Sequence, residues 1–347
     1  MDIQEILAAA VEKNASDIFL ISNLPISFKI DGVVTPQGEE RLHPDDTYAL
    51  IESIYQLNQN KSFAHLLTTG DDDFSFSLPG VGRFRINTYK QRNTLAAVIR
   101  TVFFTLPDPE KLGIPRSIID LHKKNKGLVL VTGTAGCGKS TTLACIVNAI
   151  NQTRNCHIIT LEDPVEFIHR HNRSIVSQRE ISSDTEGYTV ALRAALRQSP
   201  DVILLGEMRD FETINIALTA AETGQLVLSS LHTIGAAKTI DRIIDVFPPS
   251  QQQQVRMQLS MILQTVVSQQ LLPSVDGGLV PAFEIMHVNT AIRNMIREGR
   301  VHQIDGAIFA GQGEGMMTMD NSIQQLFQAG RITEETAQLY STNFKSI

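Results

Sequence analysis

The segment GLVLVTGTAGCGKSTTLA, residues 127–144, limits the possible folds of this chain more than any other. Within it, GTAGCGKS (133–140) follows an apolar run and precedes a helical pattern, which is the strand–loop–helix context of a phosphate-binding loop. Glycines allow backbone N–H groups to turn toward an anion at a helix N-terminus. We therefore expect Lys139 to reach the β- and γ-phosphates of a nucleotide, and the Ser140 hydroxyl to coordinate Mg²⁺.

Short apolar runs without polar alternation recur in the same half of the chain. They are LVLVTG, HIITLED, DVILLGE and LVLSSLH, and helical patterns separate them. Strands that are apolar on both faces and alternate with helices are typical of a mainly parallel sheet covered by helices on both sides. From about residue 288 onward the pattern is helical.

The first hundred residues follow a different pattern. Helical periodicity covers residues 3–13 and 45–57, and alternating apolar residues around Phe74, Phe76, Phe84 and Ile86 predict hairpin strands. The segment TLPDPEKLGIPR is rich in proline and predicts a linker. We expect a small α+β domain at 1–105, a linker at 106–116 and a second, α/β domain at 117–347, which ends in helices from about 288.

Composition excludes several classes of protein. The chain has 347 residues, 42% hydrophobic and 19% charged, with a net charge of −7, so nothing in the totals favours binding to nucleic acid or anionic lipid. The N-terminus does not resemble a secretory signal, and no run approaches the ~20 apolar residues of a spanning helix. The three cysteines, Cys137, Cys145 and Cys156, match no zinc spacing and indicate a reducing compartment.

Carboxylates follow two of the apolar runs. Glu207 ends DVILLGE, and Glu162, Asp163 and Glu166 lie in IITLEDPVEF. The carboxyl ends of parallel strands face the ligand crevice, where Glu207 could hold Mg²⁺ through water or orient the attacking water. Three converging carboxylates repel one another unless a cation offsets their charge, and a metal-bound nucleotide brings such a cation. The alternative interpretation is a set of solvated strand ends.

Histidine and arginine supply the remaining candidates. His232 ends LVLSSLH and could donate a hydrogen bond to the γ-phosphate, or could be a core histidine. Arg83 and Arg85 share one strand face, and Arg100 lies on a later strand. Hydrolysis of a nucleoside triphosphate needs positive charge on the transferred phosphoryl group, often from arginine. The same arginines could instead belong to a solvated sheet face.

Taken in order, these segments resemble the secretion-type hexameric ATPases, most closely the type IV pilus retraction ATPases. The segments that carry the resemblance are ASDIFL, GVGRFRIN, the phosphate loop, LEDPVEF, GEMRD, AETGQLVLSSLHTIGAAKTIDRIIDVFP, AIRNMIREG and GMMTMDNSIQQL. The resemblance implies a PAS-like N-terminal domain, a RecA-like ATPase domain, a homohexameric ring, and ATP with Mg²⁺ bound between the two domains.

The resemblance also implies individual roles. Glu166 would polarise the attacking water, and Glu207 would hold the Mg²⁺ shell with Glu162 and Asp163, mostly through water; the reverse division between Glu166 and Glu207 stays open. Arg85 and Arg100 would sense the γ-phosphate, and Arg83 would contact the nucleotide. The phosphates would lie against Gly133, Thr134, Ala135, Gly136, Cys137, Gly138, Lys139, Ser140 and Thr141.

Several positions depart from the family pattern, and two of them bear directly on the predicted chemistry. Gln225 stands where the family usually has histidine, and glutamine cannot carry the charge that pH-dependent sensing at this position would need. Cys137 is unusual within a phosphate loop and suggests the hypothesis of thiol-dependent inactivation.

The predicted function is that of a motor that hydrolyses ATP to retract type IV pili, located at the inner face of the cytoplasmic membrane. Its expected partners are its own copies, an inner-membrane pilus platform protein and a paralogous retraction ATPase, without nucleic acid or membrane insertion. AIRNMIREGR (291–300) favours retraction.

The alternatives are a pilus-extension or type II secretion ATPase, a weakly hydrolysing regulatory ring and a nucleic-acid translocase. Extension and type II secretion ATPases usually have a four-cysteine zinc module. No cysteine follows Cys156.

Overall fold

The computed structural model describes residues 2–30, 32–58, 61–102 and 106–342. The other residues of the predicted N-terminal domain and C-terminal helices, 1, 31, 59–60, 103–105 and 343–347, lie outside this description. The chain divides into two compact units. The first contains Met1–Thr105 and Glu166–Ile168, and the second contains Leu106–Val165 and His169–Ile347.

The first unit is an antiparallel sheet with helices. Its elements are α1 (Ile3–Glu12), β1 (Asp17–Leu20), β2 (Ser27–Ile30), β3 (Val33–Pro36), α2 (Pro44–Leu57), α3 (Phe63–Thr69), β4 (Asp71–Leu78), β5 (Gly82–Gln91) and β6 (Thr94–Val102). The strand order is β3-β2-β1-β6-β5-β4, with every neighbouring pair antiparallel. The two predicted helices and the hairpin strands are therefore confirmed, whereas the short α3 was not predicted.

Local patterning explains these elements. Asp2 caps α1 by accepting a hydrogen bond from the Gln4 N–H, and the apolar face of α1 is buried. In the β4–β5 hairpin, Phe74, Phe76 and Phe84 all point into the core, because side chains on one face of a strand recur at every second residue. The polar residues between them lie on the other face.

The second unit is built on a seven-stranded sheet in the order β13-β12-β7-β11-β10-β8-β9. In chain order its elements are α4 (Arg116–Ile119), β7 (Gly127–Thr132), α5 (Lys139–Thr153), β8 (His157–Glu162), β9 (Ile175–Glu180), α6 (Tyr188–Ala195), β10 (Val202–Leu205), α7 (Phe211–Glu222), β11 (Leu226–Leu231), α8 (Ala236–Asp245), α9 (Pro249–Ile262), β12 (Leu263–Pro273), β13 (Leu279–His287), α10 (Thr290–Arg297), α11 (Ile304–Ala310), α12 (Met319–Gln328) and α13 (Glu334–Tyr340). Among the described strands of this sheet, β12 and β13 form the only antiparallel pair, so the prediction of a mainly parallel sheet is confirmed.

Three strands of this sheet were not predicted: β9, β12 and β13. The sequence of β9 is IVSQRE, which is too polar to stand out as a buried strand. Helix α9 ends at Ile262 and β12 begins at the next residue, so no turn signal marks the change from one element to the other. The helical pattern of residues 249–262 therefore hid the strand that follows it.

Both faces of the parallel sheet are buried. Leu128 and Leu130 of β7 face one core cluster, and Val129 and Val131 face another. Helices α7, α8 and α9 contribute to the first cluster and α5 to the second. This double burial is the physical reason why the strands read as unbroken apolar runs.

The helices after β13 confirm the helical pattern predicted from about residue 288. In α10 the side chains of Ile292 and Ile296 are fully buried. Arg293 of the same helix donates hydrogen bonds to the carbonyls of Ser260 and Met261 at 2.7 and 2.9 Å, which satisfies the C-terminal end of α9. Across the described part of the chain, no helix combines the length and apolar character needed to cross a membrane.

Candidate active site

The predicted phosphate loop, residues 133–138, connects the end of β7 to the start of α5. Lys139 is buried, and its Nζ donates hydrogen bonds to the carbonyls of Gly133 at 2.9 Å and Thr134 at 2.7 Å. The ammonium group thus lies across the loop on carbonyls of its own chain. Thr134, Ala135 and Gly136 form an exposed tip. An anion in this loop meets backbone N–H groups, a helix N-terminus and a cation that is already in place.

Two glycines let the loop pack closely on β12. At Gly133, with φ +140°, an added Cβ would lie 2.3 Å from the Gln269 carbonyl oxygen and 2.6 Å from the Cys137 Sγ. At Gly138, with φ +90°, it would lie 2.8 Å from the Gln269 Nε2. A side chain at either position would therefore force the loop off its support.

Gln269 is a functional candidate that the sequence did not reveal. Its side chain is buried in β12, and its Oε1 accepts a hydrogen bond from the Thr142 hydroxyl at 2.7 Å. Thr142 belongs to the first turn of α5, so Gln269 fixes both the loop and the helix that follows it. The sequence did contain one sign of Gln269: it forms a polar pair with Gln270 in the mostly apolar segment LQTVVSQQLLP. This pair points to the phosphate loop only once β12 is known to neighbour β7.

Cys137 lies inside the loop with its thiol buried against Gly133. Burial raises the pKa of this thiol above its usual range, and the positive charge of Lys139 only partly opposes that shift. The thiolate, which is the reactive form, is therefore scarce at neutral pH.

Glu207 lies beyond the end of β10, at the same edge of the sheet as the phosphate loop. Its carboxylate contacts two partners: Oε1 is 2.6 Å from the Arg209 Nη2, and Oε2 is 3.1 Å from the His232 Nε2. The side chain of Glu207 is 13% exposed, against 73% for Arg209 and 52% for His232. The structure thus brings the predicted pair Glu207 and His232 together, and adds Arg209, which the sequence analysis did not single out.

Two serines of β11 hold the turn that carries Glu207. The Ser229 hydroxyl donates to the Leu205 carbonyl at 2.8 Å, and the Ser230 hydroxyl donates to the Gly206 carbonyl at 2.6 Å. Because β10 and β11 are parallel neighbours, these bonds tie the turn that carries Glu207 to β11, which His232 directly follows. The sequence did not predict a role for these two serines, since it shows only that they are polar residues within an apolar run.

The acid-rich segment after β8 is next to this turn. Leu161 pairs in register with Leu205, so Glu162, the last residue of β8, lies level with Gly206, which follows β10. Glu162 accepts a hydrogen bond from the Gln178 Nε2 at 3.4 Å, and Asp163 is exposed. Glu162 and Asp163 thus lie at the same sheet edge as Glu207 and the phosphate loop.

Glu180 supports the acid-rich segment. It is buried at the end of β9, and its carboxylate accepts hydrogen bonds from the Val165 N–H at 3.0 Å and the Ser183 hydroxyl at 3.2 Å. The predicted water-polarising residue, Glu166, directly follows Val165; it is exposed and is grouped with the first unit.

The three candidate arginines lie on one face of the first unit's sheet. Arg85 and Arg100 are directly opposite each other on β5 and β6. Arg85 makes two hydrogen bonds to Asp73, at 2.7 and 3.2 Å, and Arg100 makes one to Asp17 at 3.1 Å. In the same sheet, Arg83 donates to the Ser77 hydroxyl at 3.2 Å.

Gln225, the residue that departs from the family pattern, lies at the opposite end of β11 from His232. Its carbonyl accepts a hydrogen bond from the N–H of Gly127, the first residue of β7, and its Oε1 accepts one from the Thr223 hydroxyl at 2.9 Å. Seven residues of extended chain span about 23 Å. Within this subunit, Gln225 therefore lies far from the edge of the sheet that carries the phosphate loop.

Comparisons with known proteins agree with this architecture. A family model described as type II/IV secretion system protein matches residues 1–341. The chain is 47% identical over 337 residues to the type IV pilus retraction ATPase PilT of Pseudomonas aeruginosa, which covers 97% of each protein. It is 47% identical over 299 residues to a twitching motility protein of Neisseria gonorrhoeae, covering 86% of this chain and 79% of the relative. The crystal structure of the pilus retraction motor PilT with bound ADP superposes with a TM-score of 0.89 at 45% identity, covering 99% of this chain and 98% of the other.

Proposed function

The chain belongs to the type II/IV secretion system protein family, and from that membership we propose that it is an ATP-hydrolysing motor that retracts type IV pili. The near full-length similarity to a retraction ATPase supports the proposal, as does the similarity to a retraction motor that binds ADP. The observation that carries it is local. A phosphate loop with a buried lysine lies at the same sheet edge as a glutamate held by a histidine and an arginine.

The phosphate loop binds the triphosphate. Lys139 exchanges its two loop carbonyls for phosphate oxygens, and the loop N–H groups donate to the same anion. The loop packs closely on Gln269 in the ligand-free subunit, which lowers the conformational entropy that it would lose when ATP binds. Ser140 and Thr141, in the first turn of α5, present hydroxyls to the bound phosphates.

The donor set also fits Mg²⁺, because a hydroxyl and carboxylates are the oxygen ligands that this hard cation prefers. Ser140 would hold it directly, and Glu207, Glu162 and Asp163 would hold it mostly through water. When bound, Mg²⁺ neutralises charge on the phosphates.

The attacking water needs a carboxylate that accepts its proton or orients it. We assign this role to Glu166 and the metal shell to Glu207. The reverse division is the alternative, and comparison of the Glu166→Gln and Glu207→Gln variants decides between the two.

In the ligand-free subunit, Arg209 and His232 hold the Glu207 carboxylate. On this proposal His232 turns from Glu207 toward the γ-phosphate, which would link the occupancy of the site to the end of β11.

Arg85 and Arg100 supply positive charge to the terminal phosphate during turnover, with Arg83 as an additional nucleotide contact. On this proposal the first unit is the PAS-like domain and the second the RecA-like ATPase domain, with the boundary at the proline-rich segment 106–116. Six copies form the ring, and the closure that ATP drives in successive subunits performs the mechanical work.

The ring would act at the inner face of the cytoplasmic membrane, on a pilus platform protein and with a paralogous retraction ATPase. Deletion of the gene, with complementation by the wild type and by Glu207→Gln, tests the whole proposal. Excess surface pili with lost twitching, restored only by the wild type, is the result expected for retraction. Cells without pili would indicate an extension ATPase instead, and a secretion defect with normal pili would indicate a type II secretion ATPase. Full complementation by Glu207→Gln would favour a regulatory ring.

A further inference from the structure

Tyr188 starts α6, in a part of the second unit that contributes nothing to the site described so far. Its ring packs on the main hydrophobic cluster of the parallel sheet. Its hydroxyl reaches Gly206, the residue between β10 and Glu207. A Cβ built on Gly206 would lie 3.0 Å from this hydroxyl, 3.3 Å from the Leu161 carbonyl oxygen and 3.5 Å from the Glu162 Cα. The hydroxyl therefore lies where β8 and β10 end.

Acidic groups dominate the surroundings of this hydroxyl. Burial raises the pKa of Tyr188 well above its ordinary value, and the negative charges of Glu207, Asp163 and Glu162 raise it further, while Arg209 opposes them. The hydroxyl thus keeps its proton and can donate a hydrogen bond. Among the described residues it has no hydrogen-bond partner.

A hydroxyl in this position is not needed for packing. The ring packs on the hydrophobic cluster as a phenylalanine ring would, so the hydroxyl adds nothing to that packing. The hydroxyl instead lies at the ends of β8 and β10. There the proposed function needs the carboxylates of Glu162 and Glu207 in defined orientations. Such donors are most effective where water is excluded and the acceptor is charged.

We propose that the Tyr188 hydroxyl is a positioning residue for ATP hydrolysis, donating a hydrogen bond within the acid crevice that orients Glu162 and Glu207 when ATP is bound. It acts through these carboxylates and does not touch the nucleotide. The inference rests on the proposed function, because it takes Glu207 as part of the hydrolytic site. It adds to that function a residue outside the phosphate loop, the acid-rich segment and the arginines.

The test is Tyr188→Phe, which removes one oxygen and keeps the ring. We expect kcat for ATP to fall about tenfold, the size of effect expected for one hydrogen bond to a charged group. The KM for ATP, the affinity for a fluorescent ADP analogue and the thermal unfolding midpoint should stay within error of the wild type. Tyr48→Phe is the matched control, since Tyr48 is 41% exposed in the first unit, and its kcat should not change.

Two outcomes would overturn the inference. An unchanged kcat in Tyr188→Phe would mean that the hydroxyl has no role in turnover. A fall in kcat accompanied by a lower unfolding midpoint and weaker ADP binding would mean that the hydroxyl supports the fold. Glu207→Gln, measured in parallel, separates this from a failure of the proposed function. If Glu207→Gln still turns over ATP normally, the site assignment itself is wrong.

Discussion

Arg85 and Arg100 lie directly opposite each other on neighbouring antiparallel strands, and each is paired with a carboxylate of its own, Asp73 and Asp17. Two like charges in this position destabilise a sheet unless counter-charges offset them. The two aspartates provide that offset in the isolated subunit. A phosphate group that approaches this face would find two guanidinium groups already side by side.

The arginine pair should therefore matter for turnover and little for stability. Arg100→Ala should lower kcat for ATP at least tenfold, because a charge on the transition state is lost. It should lower the free energy of unfolding by only about 1 kcal/mol, since the Arg100 side chain is 67% exposed and the buried Asp17 keeps a hydrogen bond from the Ser16 hydroxyl at 2.8 Å. Steady-state ATPase assays measure kcat, and urea unfolding measures the free energy of unfolding. Asp73→Asn, which leaves the cations in place, is the control; a similar loss of kcat there would show that the sheet, and not the charge, is needed.

Lys139→Ala removes the buried ammonium from the phosphate loop. Each charge-assisted hydrogen bond to phosphate is worth about 1.5–3 kcal/mol, so the loss of two should lower kcat/KM by at least 100-fold. The fold should persist, because the hydrogen bonds that Lys139 makes in the free subunit go to two carbonyls of its own loop and do not join distant elements. Lys111→Ala, at an exposed lysine, serves as the control. Normal kinetics in Lys139→Ala would place hydrolysis elsewhere.

Gly133→Ala tests the close contact between the loop and β12. The new Cβ would lie 2.3 Å from the Gln269 carbonyl oxygen, which cannot move without disturbing the pairing of Gln269 with Phe283 in the sheet. We expect nucleotide affinity to fall more than tenfold, together with a lower unfolding midpoint. Gly306→Ala, in α11, has open space around its Cβ and should be neutral or slightly stabilising. Equal behaviour of the two variants would contradict the packing described for the loop.

His169 should make stability depend on pH. It is buried, its Nδ1 has no hydrogen-bond partner among the described residues, and burial lowers its pKa from 6.5 to about 4. Between pH 6.5 and 4 the unfolded chain binds a proton that the folded chain does not, so stability falls as the pH falls through this range. At pH 5 the loss is about 2 kcal/mol. His169→Gln, compared with the wild type at pH 7.5 and 5 by thermal unfolding, should lose less stability on acidification. If the wild type and His169→Gln lost the same stability between pH 7.5 and 5, His169 would be protonated equally in the folded and unfolded chain.

Cys137 should react slowly with thiol reagents, and its modification should abolish ATPase activity. Its buried thiol has a raised pKa, so alkylation by iodoacetamide should be slower than at a free cysteine and should accelerate above pH 9. Any adduct must displace Gly133, because Sγ lies against it. We expect the loss of ATPase activity to track adduct formation at Cys137 measured by mass spectrometry. Bound nucleotide should protect the thiol, and Cys137→Ala should resist inactivation. Full activity with Cys137 completely alkylated would refute the hypothesis.

Local patterns in the sequence determined much of this protein. The phosphate loop, the acids at the ends of apolar runs and the alternation in the N-terminal hairpins depend on residues close together in the chain, and the structure contains the loop and strands as predicted. The two faces of β7, each packed on its own cluster, explain why a fully apolar run was enough to predict a covered parallel sheet.

Tertiary structure alone decided which distant residues meet. Gln269 supports the phosphate loop because β12 pairs with β7, more than 130 residues earlier in the chain. His232 contacts Glu207, and Arg85 faces Arg100, only because their strands neighbour each other. Gln225 and His232 share one motif yet lie at opposite ends of one strand. Strand pairing is a non-local choice, set by burial across the whole sheet, and no window of sequence contains both partners.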